Sequence, residues 1–166
     1  LIRSYRKQFN RKWISLMPTN MYGPNDNFDL ESSHVLPALI NRFITALKNG
    51  DRSVTLWGTG SPKREFLHVD DLATATLLAV EKYDDGAHLN VGTGEDLPIA
   101  DLASMISRLS GFSGKIEWDS SKPDGTPRKV LDVTKMKNLG WAPAISLEAG
   151  VSSTIEWFKV NSMAKR

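Results

Sequence analysis

The chain has 166 residues, 40% of them apolar and 24% charged, which is typical of a globular domain with a sizeable core. Lysine and arginine number 21 against 19 acidic residues, so the net charge of +2 does not favour nucleic-acid binding, and any anion site must be local. Cysteine is absent, which excludes disulfides and fits the cytoplasmic protein that we expect. No apolar run approaches the roughly 18–20 residues of a membrane span, so we expect no membrane partner.

The first residues have the pattern of a helix that has already begun. The apolar side chains lie at helical spacing, and no capping residue precedes them: Leu1, Ile2, Tyr5 and Phe9. We therefore expect a longer protein to begin upstream, with an N-terminus exposed by processing as the alternative. Residues 12–18 then alternate apolar and polar side chains, which predicts a strand that leads into a loop over 19–28.

A helix is predicted over 34–49, with Ser32 or Ser33 as its N-cap and Gly50 as its stop. Its apolar face comprises Val35, Leu36, Leu39, Ile40, Phe43 and Leu47.

Further strands are predicted over 53–57, 64–69, 87–91 and 115–119, and further helices over 72–83, 99–110, 134–139 and 147–158. Asp70 or Asp71 is the expected cap of the second helix and Ser146 that of the last, after which 159–166 is expected to fray. The alternation predicts an α/β fold with a partly parallel sheet.

The segment 122–129, KPDGTPRK, combines a stiff turn with basic side chains. Pro123 and Pro127 restrict the backbone, so the loop loses little entropy when it orders around a ligand. Arg128 and Lys129 suit a phosphate or diphosphate. From the residues alone, a solvated turn with scattered charge explains the segment equally well.

Two further stretches are candidates for a binding site. Trp57 ends a predicted strand before the Gly58–Gly60 turn, where its ring could stack on a flat ligand and Arg64 could reach the same groove; ordinary packing is the alternative. His34 lies at a predicted helix start, and an imidazole that titrates near pH 7 can act as a general acid, although a hydrogen-bonded surface histidine is the commoner case. The three histidines are too scattered for a metal site, so we expect none.

Taken in order, these stretches resemble the C-terminal half of the extended short-chain dehydrogenase/reductase family of nucleotide-sugar enzymes. The matching motifs are NMYGP (20–24), REFLHVDD (64–71) and NVGTG (90–94). SSHVLPALI (32–40) and SKPDGTPRK (121–129) are similar to one branch of the family, which uses NADPH and a GDP-linked 4-keto sugar. The resemblance implies an α/β fold made of the C-terminal substrate-binding portion and the last strands of a Rossmann-type parallel sheet.

The same resemblance implies roles for individual residues. Residues 1–31 would be a remnant of the NADP-binding Rossmann domain, and 32–166 would mainly form the GDP-sugar-binding domain, with segments that return to the sheet. His34 would be a catalytic acid/base beside NADP(H), whose nicotinamide end would be lined by Pro18, Thr19, Asn20 and Met21. The GDP-sugar would be bordered or held by Ser32, Ser33, Val35, Leu39, Arg42, Trp57, Arg64, Asp124 and Lys129.

In that branch, protons are exchanged at C3 and C5 of the keto sugar and hydride is delivered to C4. The phosphate-binding glycine loop, the Tyr-x-x-x-Lys pair and a second acid/base residue, a cysteine, belong to the family's first half and are not in this sequence. We therefore expect these 166 residues to be inactive alone, and the full-length enzyme to be a homodimer. Three rivals are another nucleotide-sugar epimerase or dehydratase, a non-catalytic nucleotide-sugar-binding module, and a structural interaction domain without a ligand.

Overall fold

The computed structural model describes residues 1–163 and, of these, the side chains up to Asn161. The helices are α1 (Ile2–Phe9), α2 (Val35–Asn49), α3 (Val69–Lys82), α4 (Ile99–Ser110), α5 (Thr134–Asn138) and α6 (Leu147–Met163). The strands are β1 (Ser15–Pro18), β2 (Asn20–Tyr22), β3 (Ser53–Trp57), β4 (Lys63–Arg64), β5 (Phe66–His68), β6 (His88–Val91), β7 (Leu97–Pro98), β8 (Lys115–Asp119) and β9 (Arg128–Lys129). Across residues 1–163, no helix has both the length and the apolar character that crossing a membrane requires.

Most strand pairs are parallel. β1 pairs with β6, β2 with β5 and β3 with β8, as is typical of strands joined through helices. β4 is the central strand of a three-stranded sheet, antiparallel to β7 and parallel to β9. The predicted α/β fold with partly parallel pairing is therefore confirmed.

Buried apolar side chains form two clusters. The larger one joins α2 to α4 and α6, and it includes the fully buried Phe43, Ile40 and Ile106. The smaller one packs α3 and α5 against β5 and β6. The buried face of α2 is close to the predicted one, except that Val35 and Leu47 are exposed. The buried faces fix the helices against the rest of the fold. The loops at the helix ends lie at the surface, where binding pockets are usually found.

Three predicted helix ends are confirmed. Gly50 and Gly111 follow α2 and α4 with left-handed φ angles of 71° and 85°, and their N–H groups donate to carbonyls near the helix ends. The Ser146 hydroxyl accepts a hydrogen bond of 3.3 Å from the N–H of Ala149 at the start of α6. These positions follow local rules, which a sequence reveals directly.

The predicted caps of α2 are wrong. His34 occupies the N-cap position, with no capping hydrogen bond from its side chain. The hydroxyl of Ser32 instead donates to Asp29 at 2.9 Å. Ser33 lies one residue too early, and its hydroxyl is buried without a hydrogen-bond partner among the described residues.

The predicted caps of α3 are also wrong. The N-cap is His68, whose Nδ1 accepts a hydrogen bond of 3.3 Å from the N–H of Asp70. The carboxylate of Asp71 is buried and accepts hydrogen bonds from the N–H groups of Ala144 and Ile145, both at 3.0 Å. Asp71 therefore holds the segment before α6, a contact across more than 70 residues that no local pattern predicts.

Several predicted boundaries differ from the structure, and the helix predicted over 72–83 begins three residues earlier, at Val69. The predicted loop over 19–28 contains β2, because pairing with β5 and the burial of Tyr22 outweigh the turn-forming residues around it. The single strand predicted over 64–69 is divided into β4 and β5 at Glu65. Helix α6 continues past Phe158 to Met163, so fraying from Lys159 is wrong to that point, while 164–166 lie outside the described residues.

Candidate nucleotide and cofactor pockets

One pocket has a volume of about 890 Å³, and we call it the large pocket. It is lined by the continuous segment 17–26 and, from elsewhere in the chain, by His34, Val69 and 129–131. All five residues predicted to bind the cofactor are in this lining: Pro18, Thr19, Asn20, Met21 and His34. Lys129, predicted to bind the nucleotide, joins them there.

The polar side chains of segment 17–26 are partly used inside the protein. The hydroxyl of Thr19 and the amide of Asn20 both donate to the backbone carbonyl of Glu65, at 3.3 and 2.8 Å. In contrast, Met17 and Met21 are 50% and 39% exposed. This wall is therefore fixed by hydrogen bonds and has a partly apolar surface, which suits a flat ring.

His34 reaches the large pocket from the start of α2, where its side chain is exposed. The turn before it is organised by Asp29, whose carboxylate accepts hydrogen bonds from the N–H of Glu31 and from both the hydroxyl and the N–H of Ser32. The Ser32 hydroxyl, and after it these N–H groups, hold the pKa of Asp29 below its usual value. Asp29 is thus charged at neutral pH and keeps the turn that presents the imidazole.

Tyr22 also lines the large pocket, but its hydroxyl is not suited to proton transfer. Burial, with the negative charge of Asp71 as a second cause, raises the pKa of Tyr22, so the phenol stays protonated. Its ring packs edge-on against His68, with 5.4 Å between the ring centres. Tyr22 therefore acts as a wall, and the same ring borders a separate cavity of about 460 Å³.

A smaller pocket, of about 210 Å³, contains several of the residues predicted to bind the nucleotide. We call it the small pocket, and its lining consists of Val35, Trp57, Gly60, Pro62, Arg64, Ile99, Pro123 and Asp124. Trp57 is 68% exposed, so its ring is not part of the core. The ammonium of Lys122 lies 5.7 Å from the centre of that ring, a cation–π distance.

The basic loop 122–129 is attached to the Gly58–Gly60 turn through Asp124. Its carboxylate accepts hydrogen bonds from the N–H of Thr59 at 2.6 Å and from the Thr59 hydroxyl at 2.8 Å. The backbone donor first, and then the hydroxyl, lower the pKa of Asp124. Asp124 therefore positions the loop, in addition to any contact with a ligand.

Positive charge accumulates beside both pockets, because β4 and β9 run side by side with Arg64 opposite Lys129. Arg128 is paired with Asp96, and this contact lowers the pKa of the Asp96 carboxyl. Neither Arg64 nor Lys129 forms an ion pair within residues 1–163. Two cations without a carboxylate partner among the described residues form a local patch of positive charge, a surface that attracts anions.

Four predicted substrate residues line neither of these two pockets. Leu39 is in the core with 4% of its surface exposed, and Arg42 is half-buried on α2. Ser32 and Ser33 lie just before His34, in the turn that Asp29 organises. Their roles toward a nucleotide stay predictions.

Two residues important for the site were not singled out from the sequence. Thr59 holds the basic loop through Asp124, and Glu65 is a fully buried carboxylate that accepts hydrogen bonds from Gly94 and Leu131. The sequence marks Glu65 only by its context, because an acidic residue there directly precedes the apolar residues Phe66 and Leu67, both of which are buried. An ionisable group in that position needs partners, but the sequence does not identify them.

Residues 1–92 match the model of the NAD dependent epimerase/dehydratase family. The chain belongs to that family. Its architecture agrees, since parallel strand pairs alternate with helices and the pockets lie at loops that follow strands. The family includes the nucleotide-sugar enzymes that the motifs at 20–24, 64–71 and 90–94 resemble.

Individual relatives within the epimerase/dehydratase family carry one recurring name. GDP-L-fucose synthase 1 of Arabidopsis thaliana is 52% identical over 159 residues, which are 96% of this chain and 49% of that protein. GDP-L-fucose synthase of Escherichia coli (strain K12) is 49% identical, over 97% of this chain and 53% of that protein. The crystal structure of a GDP-L-fucose synthetase from Naegleria fowleri bound to NADP superposes with a TM-score of 0.89 at 28% identity, covering 97% of this chain and 51% of that one. The chain thus spans about half the length of the relatives it matches.

Proposed function

We propose that the chain is the substrate-binding part of a GDP-L-fucose synthase. The full-length protein would convert GDP-4-keto-6-deoxy-D-mannose to GDP-L-fucose with NADPH. The observation that carries the proposal is the small pocket, which brings Trp57, Arg64 and Asp124 together from segments up to 67 residues apart. The names of the relatives support the same substrate class.

The small pocket has the chemistry of a site for a nucleoside diphosphate. The exposed ring of Trp57 offers a face on which a base can stack, a contact worth roughly 1–3 kcal/mol per base. Arg64 has no carboxylate partner among the described residues and can donate two parallel hydrogen bonds to a diphosphate. Lys129, opposite Arg64 in the strand register, extends positive charge toward the large pocket, where the sugar would lie.

The large pocket fits one end of a nicotinamide dinucleotide. Its volume of about 890 Å³ and the exposed surfaces of Met17 and Met21 suit a flat, weakly polar ring. Pro18, Thr19 and Asn20 would line that ring, in a wall that the hydrogen bonds from the Thr19 and Asn20 side chains to the Glu65 carbonyl keep in place. When bound, NADPH supplies the hydride for the sugar's C4.

His34 is the proposed acid/base. The C4 carbonyl of the keto sugar acidifies the protons at C3 and C5, so exchange there needs a group that can take up and return a proton near pH 7. The His34 imidazole lines the large pocket and is exposed, so a sugar placed there could reach it. By the family resemblance, the second group, on the other face of the ring, would be a cysteine, a residue type that these 166 residues lack.

The domain division follows from the same proposal. Residues 1–31 would complete an NADP-binding domain, and 32–166 would mainly bind the GDP-sugar. The full-length protein is proposed to be a cytoplasmic homodimer, and the exposed side chains of Tyr5 and Phe9 on α1 support a further contact there. The 166 residues alone are proposed to bind nucleotide without turnover.

Calorimetric titration of the 166-residue chain with GDP, UDP and dTDP tests the proposal. We expect GDP to bind most tightly of the three. Trp57→Ala is expected to weaken GDP binding by about tenfold or more, because the stacking contact is lost. Lys129→Ala is also expected to weaken GDP. Trp13→Ala is the matched control, because Trp13 is 44% exposed but stacks on Tyr5, away from both pockets.

The outcomes separate the proposal from its rivals. Tighter binding of UDP or dTDP would indicate a different nucleotide-sugar enzyme of the family. GDP binding together with NADPH oxidation by the pure 166-residue chain would contradict the proposed inactivity. A chain that binds none of the three nucleotides, while its thermal unfolding remains cooperative, would contradict the assigned pocket.

A further inference from the structure

Glu65 is the most deeply buried carboxylate of the described residues, with 0% of its surface exposed. Its Oε1 accepts a hydrogen bond of 2.8 Å from the N–H of Gly94 and a longer one of 3.4 Å from the hydroxyl of Thr93. Its Oε2 accepts one of 2.8 Å from the N–H of Leu131. Both oxygens are therefore used, which is what a buried carboxylate requires.

These hydrogen bonds connect parts of the chain that line the large pocket. Leu131 follows Lys129 in one part of the lining. The backbone carbonyl of Glu65 accepts from the side chains of Thr19 and Asn20, in another part of it. The carboxylate and the carbonyl of one residue thus hold two separate segments of the same pocket.

The position of Glu65 also connects the two pockets. It is the single residue between β4, which pairs with β9, and β5, which pairs with β2. The preceding residue, Arg64, lines the small pocket. A shift of the backbone at Glu65 therefore moves a residue of the small pocket and the hydrogen-bond acceptor of the large one together.

The turn after β6 is built around this carboxylate. A Cβ atom on Gly92 would collide with Oε1 of Glu65. Gly94 has a left-handed φ of 77°, which aims its N–H at the same oxygen. Contact with Glu65 thus explains the glycine at 92, and the left-handed φ explains the glycine at 94.

We propose that Glu65 is a positioning residue that couples the small pocket to the large one, so that a nucleotide in the first changes the affinity for a dinucleotide in the second. The inference rests on the proposed function for the identity of the two ligands. Coupling requires an element whose arrangement both sites influence. The β4–Glu65–β5 segment, 63–68, contributes Arg64 to the lining of the small pocket and, through Glu65, forms hydrogen bonds with lining residues of the large one.

The test compares Glu65→Gln with Asp71→Asn in the full-length protein, because the phosphate-binding glycine loop expected to hold NADPH is not in these 166 residues. Each substitution replaces a buried carboxylate that accepts two backbone N–H groups. The Glu65 partner Leu131 lines the large pocket, whereas the Asp71 partners Ala144 and Ile145 line neither the large nor the small pocket. In Glu65→Gln the side-chain NH₂ faces one of the two N–H donors, so one hydrogen bond is lost. NADPH affinity is measured with and without saturating GDP. In the wild type, saturating GDP is expected to change the NADPH affinity by about fivefold or more, which is the lower end of typical coupling between two sites.

Glu65→Gln is expected to abolish that effect, while Asp71→Asn retains it despite a similar loss of thermal stability. Retention of wild-type coupling in Glu65→Gln, or a wild type that binds both ligands independently, overturns the inference and leaves the proposed function intact. A full-length wild type that fails to bind GDP, NADPH or both overturns the proposed function and the coupling together.

If Glu65→Gln does not fold, the coupling is tested in the wild type instead. The amide signals of Gly94 and Leu131 are followed by NMR during titration with GDP alone. Neither residue lines the small pocket, so shifts of both signals support transmission through the Glu65 carboxylate. Unchanged signals at saturating GDP overturn it.

Discussion

The carboxylate of Asp124 takes both of its short hydrogen bonds from one residue, Thr59, through the backbone N–H at 2.6 Å and the hydroxyl at 2.8 Å. The two residues are 65 positions apart, and their contact closes the small pocket between the basic loop and the glycine turn. The loop is therefore already positioned without a ligand, which lowers the entropy lost on binding.

The first prediction is that Asp124 and Thr59 act as one unit. Asp124→Ala removes both hydrogen bonds and should weaken GDP binding by about tenfold, whereas Thr59→Val removes one and should weaken it less. In the Asp124→Ala background, Thr59→Val should have little further effect, because its partner is already gone. Calorimetry on the four proteins measures this coupling.

The control for that cycle is Glu117→Ala. Glu117 is an exposed carboxylate on β8, outside the lining of either pocket, and its loss should leave GDP affinity unchanged. Strictly additive losses in the double variant would mean that Asp124 and Thr59 contact the ligand independently.

The second prediction concerns pH. The N–H and the hydroxyl of Thr59 lower the pKa of Asp124 below its ordinary 3.8. A carboxylate with a lowered pKa in the folded state contributes stability that is complete above its ordinary pKa and is lost as pH falls through the lower value. The Thr59 amide signal, followed by NMR from pH 7 down to about 2.5, should therefore be constant until below about pH 4 and then change. Asp124→Asn should remove the transition, and a midpoint above the ordinary aspartate value would contradict the assigned cause.

Local patterns in the sequence predicted the helices well. The glycine stops at Gly50 and Gly111 and the cap at Ser146 are correct, because each depends on residues within one helical turn. The predicted cofactor segment also lines one pocket, but this expectation came from a family resemblance and not from periodicity.

Contacts between distant residues were not predictable in the same way. Asp71 was expected to cap α3, yet its partners are Ala144 and Ile145, more than 70 residues away. Glu65 lies within the strand predicted over 64–69, yet its carboxylate and carbonyl hold three other segments. Burial decides such roles, and burial depends on the complete fold.

The third prediction separates backbone strain from displacement of the loop. Gly58 and Gly50 have left-handed φ angles of 80° and 71°, so alanine at either position should cost about 1–2 kcal/mol of stability. A Cβ on Gly58 would collide with the Asp124 carboxylate, whereas a Cβ on Gly50 meets open space. Gly58→Ala should therefore also weaken GDP binding, and Gly50→Ala should not. The GDP affinities of the two variants are compared after added osmolyte has brought them to the same stability. Equal affinities would show that the loop tolerates the displacement of Asp124.

The fourth prediction tests the role of Arg64 by changing the ligand. If Arg64 binds the diphosphate, Arg64→Ala should weaken the binding of GDP by about tenfold or more. The binding of guanosine, which has no phosphate, should be nearly unchanged. The matched control is Arg108→Ala, since Arg108 is an exposed arginine on α4 that pairs with Glu148 and lines neither pocket. Raising the salt concentration should reduce the difference between wild type and Arg64→Ala, because a partly exposed charge contact is screened. Equal losses for GDP and guanosine would instead assign Arg64 to the base or to the shape of the pocket.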